Sequence, residues 1–195
     1  MKKLIMLAVF GLTFSVNAQM KLPIDTNKSM VKWTGSNLFK FNKHYGTVTF
    51  RNGTIVTKGN KLIGGNFMID MSTIINTDGK YNEMLVNHLK GAEFFAVDRY
   101  PNAKLEIVEA IDKGKNTFDV LADLTIKHIK NKIRFSATIT NSVGKSVMNT
   151  KFIIDRTLWN IVYKTKGILS TFKNDTISDA IEFEVSIEWV NDDKC

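Results

Sequence analysis

The sequence predicts an all-β domain of long antiparallel strands with one short helix. Three observations favour this class. Apolar and polar residues alternate with period two over many segments, turn residues such as Gly and Asn separate those segments, and a single stretch has helical periodicity instead. Eight segments alternate in this way, so we expect eight strands, each with an apolar face that must be buried.

The residues before the first strand are predicted to be a secretory signal peptide spanning 1–18. Lys2 and Lys3 precede an apolar run of the length that a secretory signal needs, and Val16-Asn17-Ala18 suits a cleavage site. We therefore expect cleavage near Ala18, a single domain over residues 19–195, and a periplasmic or secreted protein. A buried N-terminal helix is the alternative.

The strands follow from local alternation. Near the C-terminus, for example, Phe183 and Val185 alternate with Glu182 and Glu184, which gives that segment one apolar and one solvated face. The strands are expected near residues 30–36, 46–57, 61–73, 102–112, 116–128, 131–141, 147–156 and 177–190, with a ninth, short candidate near 160–165.

Turn signals lie between these segments. They are Arg51-Asn52-Gly53, Lys58-Gly59-Asn60, Lys113-Gly114-Lys115-Asn116, Lys130-Asn131 and Val143-Gly144-Lys145. Strands connected by such short turns are antiparallel. They can bury their apolar faces in a sandwich or in a closed up-and-down barrel, and only the barrel removes both free edges.

One amphipathic helix is predicted between the third and fourth strands. Its apolar stripe has the helical spacing i, i+3, i+4, i+7 and i+8, at Tyr81, Met84, Leu85, His88 and Leu89. Thr77 or Asp78 can cap its start, and Gly91 can end it. In an otherwise all-strand chain, this stripe must face the sheet or the mouth of a barrel.

Motifs for catalysis, metal binding or cofactor binding are not found in the sequence. His44, His88 and His128 lack metal-like spacing, and Cys195 is the sole cysteine. Gly144-Lys145-Ser146 resembles the end of a phosphate loop, but its strand–turn–strand context indicates a hairpin. We therefore predict no catalytic residues, no metal and no cofactor.

The net charge of +8 raises the question of an anionic partner. The lysines are scattered singly, with no run of five or more basic residues, so nucleic-acid binding is not predicted. A solvated basic surface attracted to an anionic membrane surface is the favoured interpretation. The oligomeric state stays open, a dimer included.

The segment HLKGAEFFAVDRYPNAKLEI, residues 88–107, resembles the hallmark segment of the YceI-like family of secreted lipid- or polyisoprenoid-binding proteins. Three further segments agree with the family in order along the chain: VKWTGSNLFKFNKHYGTV, FDVLADLTIKHIKNKIRF and FIIDRTLWNI. The sequence departs from the family pattern at Ala96, where an aspartate is common. It also departs at the hairpin turn after Leu124-Thr125-Ile126, where Lys127-His128 replaces a glycine-rich turn.

The resemblance implies a lipocalin-like, extended antiparallel eight-stranded barrel, with the helix over one end and a long apolar ligand in the lumen. The expected ligand is a polyisoprenoid, an isoprenoid quinone or a fatty-acid-like amphiphile, and no enzymatic activity is implied. The apolar residues expected to contact it are Trp33, Phe50, Phe67, Ile69, Met71, Met84, Leu85, Phe94, Phe95, Phe118, Val120, Leu124, Phe135, Phe152 and Phe183.

Three polar residues are candidate anchors for a ligand head group: His44, His88 and Arg156. Each has a structural alternative, as a half-buried histidine or as a member of an ion pair. Two functions compete with the carrier: an enzyme on a lipid-like substrate that uses His44 or His88, and a ligand-free interaction barrel whose core is filled by side chains.

Phe94 and Phe95 lie between the helix and the extended Tyr100-Pro101 segment. Adjacent side chains in a tight turn can point in different directions. We expect one ring to pack beneath the helix and the other to face the lumen.

Overall fold

The computed structural model describes residues 19–37, 42–59, 61–165 and 176–191. The predicted signal peptide and Cys195 lie outside these ranges. Within them the chain forms nine strands: β1 (Gln19–Pro23), β2 (Met30–Ser36), β3 (Lys43–Lys58), β4 (Lys61–Asn76), β5 (Asn102–Asp112), β6 (Thr117–Ile126), β7 (Ile129–Ser142), β8 (Lys145–Asp155) and β9 (Ala180–Val190). Helix α1 (Asn82–Lys90) connects β4 to β5, and a 3₁₀ helix (Arg156–Trp159) follows β8.

Eight of the strands form a closed antiparallel barrel, which confirms the predicted fold class. Hydrogen bonding runs in the order β3-β2-β9-β8-β7-β6-β5-β4, and β4 pairs again with β3. The unpredicted strand, β1, pairs with β3 from Lys58 to Thr54, beyond the stretch from Val48 to Lys43 that pairs with β2. β1 and β2 therefore occupy successive lengths of one side of β3, and the circumference stays at eight strands.

The short strand expected near 160–165 does not form. β8 ends at Asp155, whose carboxylate accepts a hydrogen bond from Thr157 N (2.9 Å) and caps the 3₁₀ helix. Trp159 and Ile161 are then fully buried, and Trp159 Nε1 donates to Leu124 O (3.1 Å). Trp159 and Ile161 thus close one side of the barrel end. An apolar run this short has no periodicity that would distinguish it from a strand in the sequence.

The turn expected at Arg51-Asn52-Gly53 is also absent. β3 continues through these residues, with a register shift in its pairing to β4 between Phe50 and Asn52. A Cβ atom at Gly53 would lie 2.8 Å from Ile24 Cδ1 and 2.8 Å from Phe67 Cδ1. Glycine is therefore needed there for close packing inside the barrel, not for reversing the chain.

The two ends of the barrel differ. At the upper end lie α1, the connection 91–101 and the 3₁₀ helix, and at the lower end lie the turns 113–116 and 143–144. The lower interior is filled by buried side chains, among them Ile55, Leu62, Phe118, Val120 and Ala137. None of the described helices has the length and apolarity needed to span a membrane.

Candidate functional site

A cavity of about 400 Å³ occupies the upper part of the barrel, under α1 and the 3₁₀ helix. Its wall is mostly aliphatic and aromatic, with polar residues around the opening, and its volume lies within the ~300–1,000 Å³ typical of small-molecule sites. Most of the residues expected to contact a ligand line it: Trp33, Phe50, Phe67, Ile69, Met71, Leu85, Phe94, Phe95, Leu124, Phe135, Phe152 and Phe183.

Three expected residues do not line the cavity. Met84 lies on the exposed side of α1, because Leu85 and Leu89 face the barrel and a neighbouring position points about 100° away on a helix. Phe118 and Val120 are buried in the filled lower part of the barrel, on the first half of β6. They belong to the packed core, and the placement expected for all three is corrected accordingly.

The cavity also has apolar wall residues that were not among the expected ligand contacts. They include Val31, Val48, Ala103, Leu105, Ile126, Met148, Ile181, Val185 and Ile187. Most lie two or four residues from a named one on the same strand, so strict period-two alternation would have found them. The polar residues around the opening, such as Asn37, Asn42 and Ser178, have no comparable signal.

Phe94 and Phe95 both line the cavity, and each is buried. The expected division, with only one ring toward the lumen, is therefore not what the structure shows. The connection folds back beneath α1, where Phe95 N donates to Leu89 O (3.1 Å) and Ala96 takes a left-handed φ of 47°. This reversal turns both rings inward, and Phe94 also contacts the ring of Tyr163 at 5.5 Å between centroids.

Two glycines on paired strands shape one wall of the opening. Trp33 is opposite Gly46 and Gly35 is opposite His44 in the β2–β3 register. A Cβ atom at Gly46 would lie 1.8 Å from Ile75 O and 2.8 Å from Trp33 Cζ2, so the indole packs directly on the bare backbone. A Cβ atom at Gly35 would meet no atom of the described residues within 4 Å, which leaves a gap in the wall at the cavity's polar rim.

His44 lines the cavity and is oriented by a carboxylate behind it. His44 Nδ1 lies 2.6 Å from Oδ2 of the largely buried Asp78. Burial alone would raise the pKa of Asp78, but hydrogen bonds from Lys80 N, the Asn76 amide and His44 outweigh it and lower that pKa. His44 Nε2 has no hydrogen-bond partner among the described residues, so it is available to a molecule in the cavity.

The Asp78 contact explains why the expected helix cap is wrong. Helix α1 begins after Tyr81, which has a left-handed φ of 53° and makes no side-chain capping bond. Asp78 instead holds His44, and Asn76 Nδ2 lies within hydrogen-bond distance of Lys80 O (2.7 Å) and Asn82 Oδ1 (2.9 Å). The start of α1 is therefore attached to β4 by Asn76 and to β3 through the Asp78–His44 pair.

Trp33 is a second polar group at this wall. Its side chain is buried, and Trp33 Nε1 has no hydrogen-bond partner within the part of the chain that the structure describes. Nε1 and Cζ2 are both bonded to Cε2 of the indole, and Cζ2 is the atom that packs on Gly46. A buried N–H without an acceptor is costly, and Nε1 is closed off from the cavity as well, so Trp33 contributes apolar packing to this wall and not a hydrogen bond to a ligand.

Arg156 lines the cavity, but its donors hold the chain together. The guanidinium is 1% exposed and donates to the carbonyl oxygens of Ile161 (2.6 Å), Tyr163 (3.0 Å) and Ser178 (3.0 Å). Burial lowers its pKa, and the carboxylate of Asp179, 3.3 Å away, opposes that effect. Arg156 therefore joins the segment before residue 166 to the segment after residue 175 at the upper end of the barrel.

His88 lies outside the cavity, although it shares the helix stripe with Leu85 and Leu89. Its ring stacks on Tyr163 at 6.1 Å between centroids, and Nδ1 lies 3.4 Å from Glu93 Oε2. It thus packs α1 against the connection that follows the 3₁₀ helix. No group of three or more His, Cys, Asp or Glu side chains within the described ranges could hold a metal ion.

Solved structures of similar fold span nearly all of this chain. BcnA of Burkholderia cenocepacia has a TM-score of 0.70 at 18% identity, with 85% of this chain and 98% of that chain covered. A polyisoprenoid binding domain from Saccharophagus degradans has a TM-score of 0.60 at 12% identity, with 86% and 97% covered. A Campylobacter jejuni YCEI protein has a TM-score of 0.58 at 15% identity, with 98% and 94% covered.

Comparison with curated proteins gives no match. The family model of the YceI-like domain matches residues 22–189, from Leu22 in β1 to Trp189 near the end of β9. That match covers the whole barrel, including α1 and every residue of the cavity wall. This chain therefore belongs to the YceI-like domain family.

Proposed function

We propose that this protein is a non-enzymatic carrier that holds a long apolar ligand in the barrel cavity, in the periplasm or outside the cell. The single observation that carries the proposal is the apolar cavity of about 400 Å³ beneath α1. A filled core is the usual outcome for a small barrel, so an unfilled apolar space of this size favours a ligand.

The apolar contact alone is sufficient for useful affinity. Ten methylene-sized groups buried at ~0.8 kcal/mol each contribute ~8 kcal/mol, which corresponds to roughly micromolar binding before the costs of ordering. The similar domain from Saccharophagus degradans is described as polyisoprenoid binding. A polyisoprenoid or isoprenoid quinone is therefore our leading candidate ligand, with a fatty-acid-like amphiphile as the runner-up.

His44 gives the ligand a direction in the cavity. An oxygen on the ligand head can hydrogen-bond to His44 Nε2, while the tail extends toward Phe135 and Phe152. His44→Ala should weaken binding of a head-bearing ligand while leaving a pure hydrocarbon of the same length unaffected.

The His44–Asp78 pair is also the observation that favours the enzyme alternative, since a carboxylate-oriented imidazole is the geometry of a general base. The carrier and the enzyme differ in what happens to the ligand with time. A carrier returns its ligand chemically unchanged, whereas an enzyme converts it at a rate that His44→Ala abolishes.

Mass spectrometry of an organic extract from the purified protein tests the proposal. We expect one long-chain lipid in near-stoichiometric amount, and its loss from a variant with a blocked cavity. Protein that is purified without any lipid, and that does not take up isoprenoid or fatty-acyl compounds when these are added, would contradict the proposal.

A further inference from the structure

We infer that the upper end of the barrel docks on an anionic phospholipid bilayer, through exposed apolar side chains beside the cavity opening. This inference rests on the proposed function, because docking matters to a carrier whose ligand resides in a membrane. It commits to a bilayer surface rather than to a protein partner.

The apolar part of this surface consists of four side chains from three elements, which we call the rim patch. Tyr45 is 50% exposed, Ile75 is 48% exposed, Tyr81 is 67% exposed and Met84 is 58% exposed. Ile75 pairs with Thr47 on β3, so it is a diagonal neighbour of Tyr45 on the outer face. Tyr81 and Met84 are three residues apart at the start of α1 and share one side of it.

The rim patch adjoins the opening of the cavity. Tyr45 follows His44, and Met84 precedes Leu85, and both of these neighbours line the cavity. The Tyr81 ring lies 6.4 Å from the His44 ring, measured between centroids. A bilayer that receives the rim patch would therefore face the route by which an apolar ligand enters.

Charge at the upper end favours an anionic partner. Lys43, Lys80 and Lys164 form no ion pair with any carboxylate in the described ranges. Of the acids at this end, Asp78 is largely buried against His44, Glu83 is exposed on α1, and Glu93 and Asp98 are exposed in the connection after α1. Lysines beside an apolar patch that includes tyrosines are the composition of a membrane-surface site.

The lower end lacks this combination. Its exposed apolar side chains, Met20, Ile63, Ile111, Val143 and Val190 among the described residues, include no aromatic one. Some of its lysines pair with carboxylates, Lys28 and Lys145 with Glu188, Lys61 with Asp112 and Lys113 with Asp119, whereas Lys58 and Lys115 form no ion pair with a carboxylate of the described residues. The exposed tyrosines and the cavity opening therefore specify which end faces the membrane, and the lower end provides matched control positions on the same protein.

Flotation of ligand-stripped protein with vesicles tests the inference. We expect binding to vesicles of phosphatidylethanolamine and phosphatidylglycerol, weaker binding to phosphatidylcholine vesicles, and a decrease as salt rises. Tyr81→Asn with Met84→Gln should reduce binding at least fivefold, and Lys43→Gln with Lys80→Gln should remove most of its salt dependence. Asn is chosen at Tyr81 because it tolerates a left-handed φ.

The matched control is Ile111→Thr with Val143→Thr at the lower end, which should bind vesicles like the parent. The inference would be overturned if the rim-patch double variant and this control lost vesicle binding equally, or if the parent did not bind vesicles at all. So would a dimer that the rim-patch variant converts to a monomer, because the patch would then be a protein interface.

Ligand retention is measured separately on the same variants, so the two proposals can fail independently. A parent protein that retains lipid but ignores vesicles contradicts docking only. A parent protein that binds vesicles but never holds a lipid contradicts the carrier function and leaves docking standing. Circular dichroism and thermal melts of each variant check that these surface substitutions leave the fold intact.

Discussion

Gly35 offers the sharpest perturbation of the cavity, because a side chain there enters open space. Gly35→Leu adds four carbon atoms at a wall position where a Cβ atom meets no atom of the part of the chain that the structure describes within 4 Å. These atoms occupy the place of about four methylene-sized groups of ligand, at ~0.8 kcal/mol each, for a loss of ~3 kcal/mol. We therefore expect ligand affinity to fall on the order of a hundredfold.

Stability should not fall with the affinity. Gly35 needs no left-handed backbone, and glycine inside a strand costs ~0.5–1 kcal/mol relative to alanine, so the variant should be as stable as the parent or slightly more stable. Thr34→Leu is the matched control, since position 34 is adjacent on β2 and points outward. The assay is equilibrium binding of an isoprenoid to delipidated protein, with thermal melting in parallel.

Equal affinities for the parent, Gly35→Leu and Thr34→Leu would refute the reasoning, because the ligand would then bind elsewhere. A loss of affinity accompanied by a large drop in melting temperature would also count against it, since the gap at Gly35 would not be open space.

Three further predictions concern stability. Gly46→Ala should destabilise the fold by about 1–3 kcal/mol in urea unfolding, because its Cβ would collide with Ile75 O and Trp33, and Gly35→Ala is the control expected to be neutral. Arg156→Met should cost about 1–3 kcal/mol for each buried carbonyl left without a donor, and an unchanged urea midpoint would show that these hydrogen bonds are unnecessary. The lowered pKa of Asp78 means that its contribution to stability is fully present above the unfolded-state pKa near 3.9 and is lost as pH falls through the lower folded-state pKa. Urea midpoints measured between pH 6 and pH 2.5 should therefore fall more steeply in the parent than in Asp78→Asn, and parallel curves would contradict this assignment.

The barrel could be predicted from the sequence because period-two alternation and hairpin turns are local signals. Phe183, Val185 and Glu184 show which face of β9 is buried without any knowledge of its neighbours. The signals fail where glycine serves tertiary packing. Gly53 lies in a turn-like triplet, yet the close approach of Ile24 and Phe67 accounts for it, and only the folded barrel brings those residues together.

The candidate site was only partly predictable for the same reason. Most of the apolar wall follows from strand alternation, but which stretch stays hollow depends on how side chains fill the lower end, where Phe118 and Val120 lie. The orientation of α1 placed Met84 outside, although helical periodicity put it on the apolar stripe. The His44–Asp78 pair joins residues 34 positions apart, and no local sequence motif predicts this contact.

The most direct test of the central claim is a titration of delipidated protein with isoprenoid alcohols of increasing length. Quenching of Trp33, which lines the cavity, reports occupancy, and Trp33→Phe identifies its signal against those of Trp159 and Trp189. The carrier account predicts that affinity rises with each added methylene-sized group, by up to ~0.8 kcal/mol, until the cavity is full. Affinity that is independent of chain length, or no binding at any length, would contradict the account.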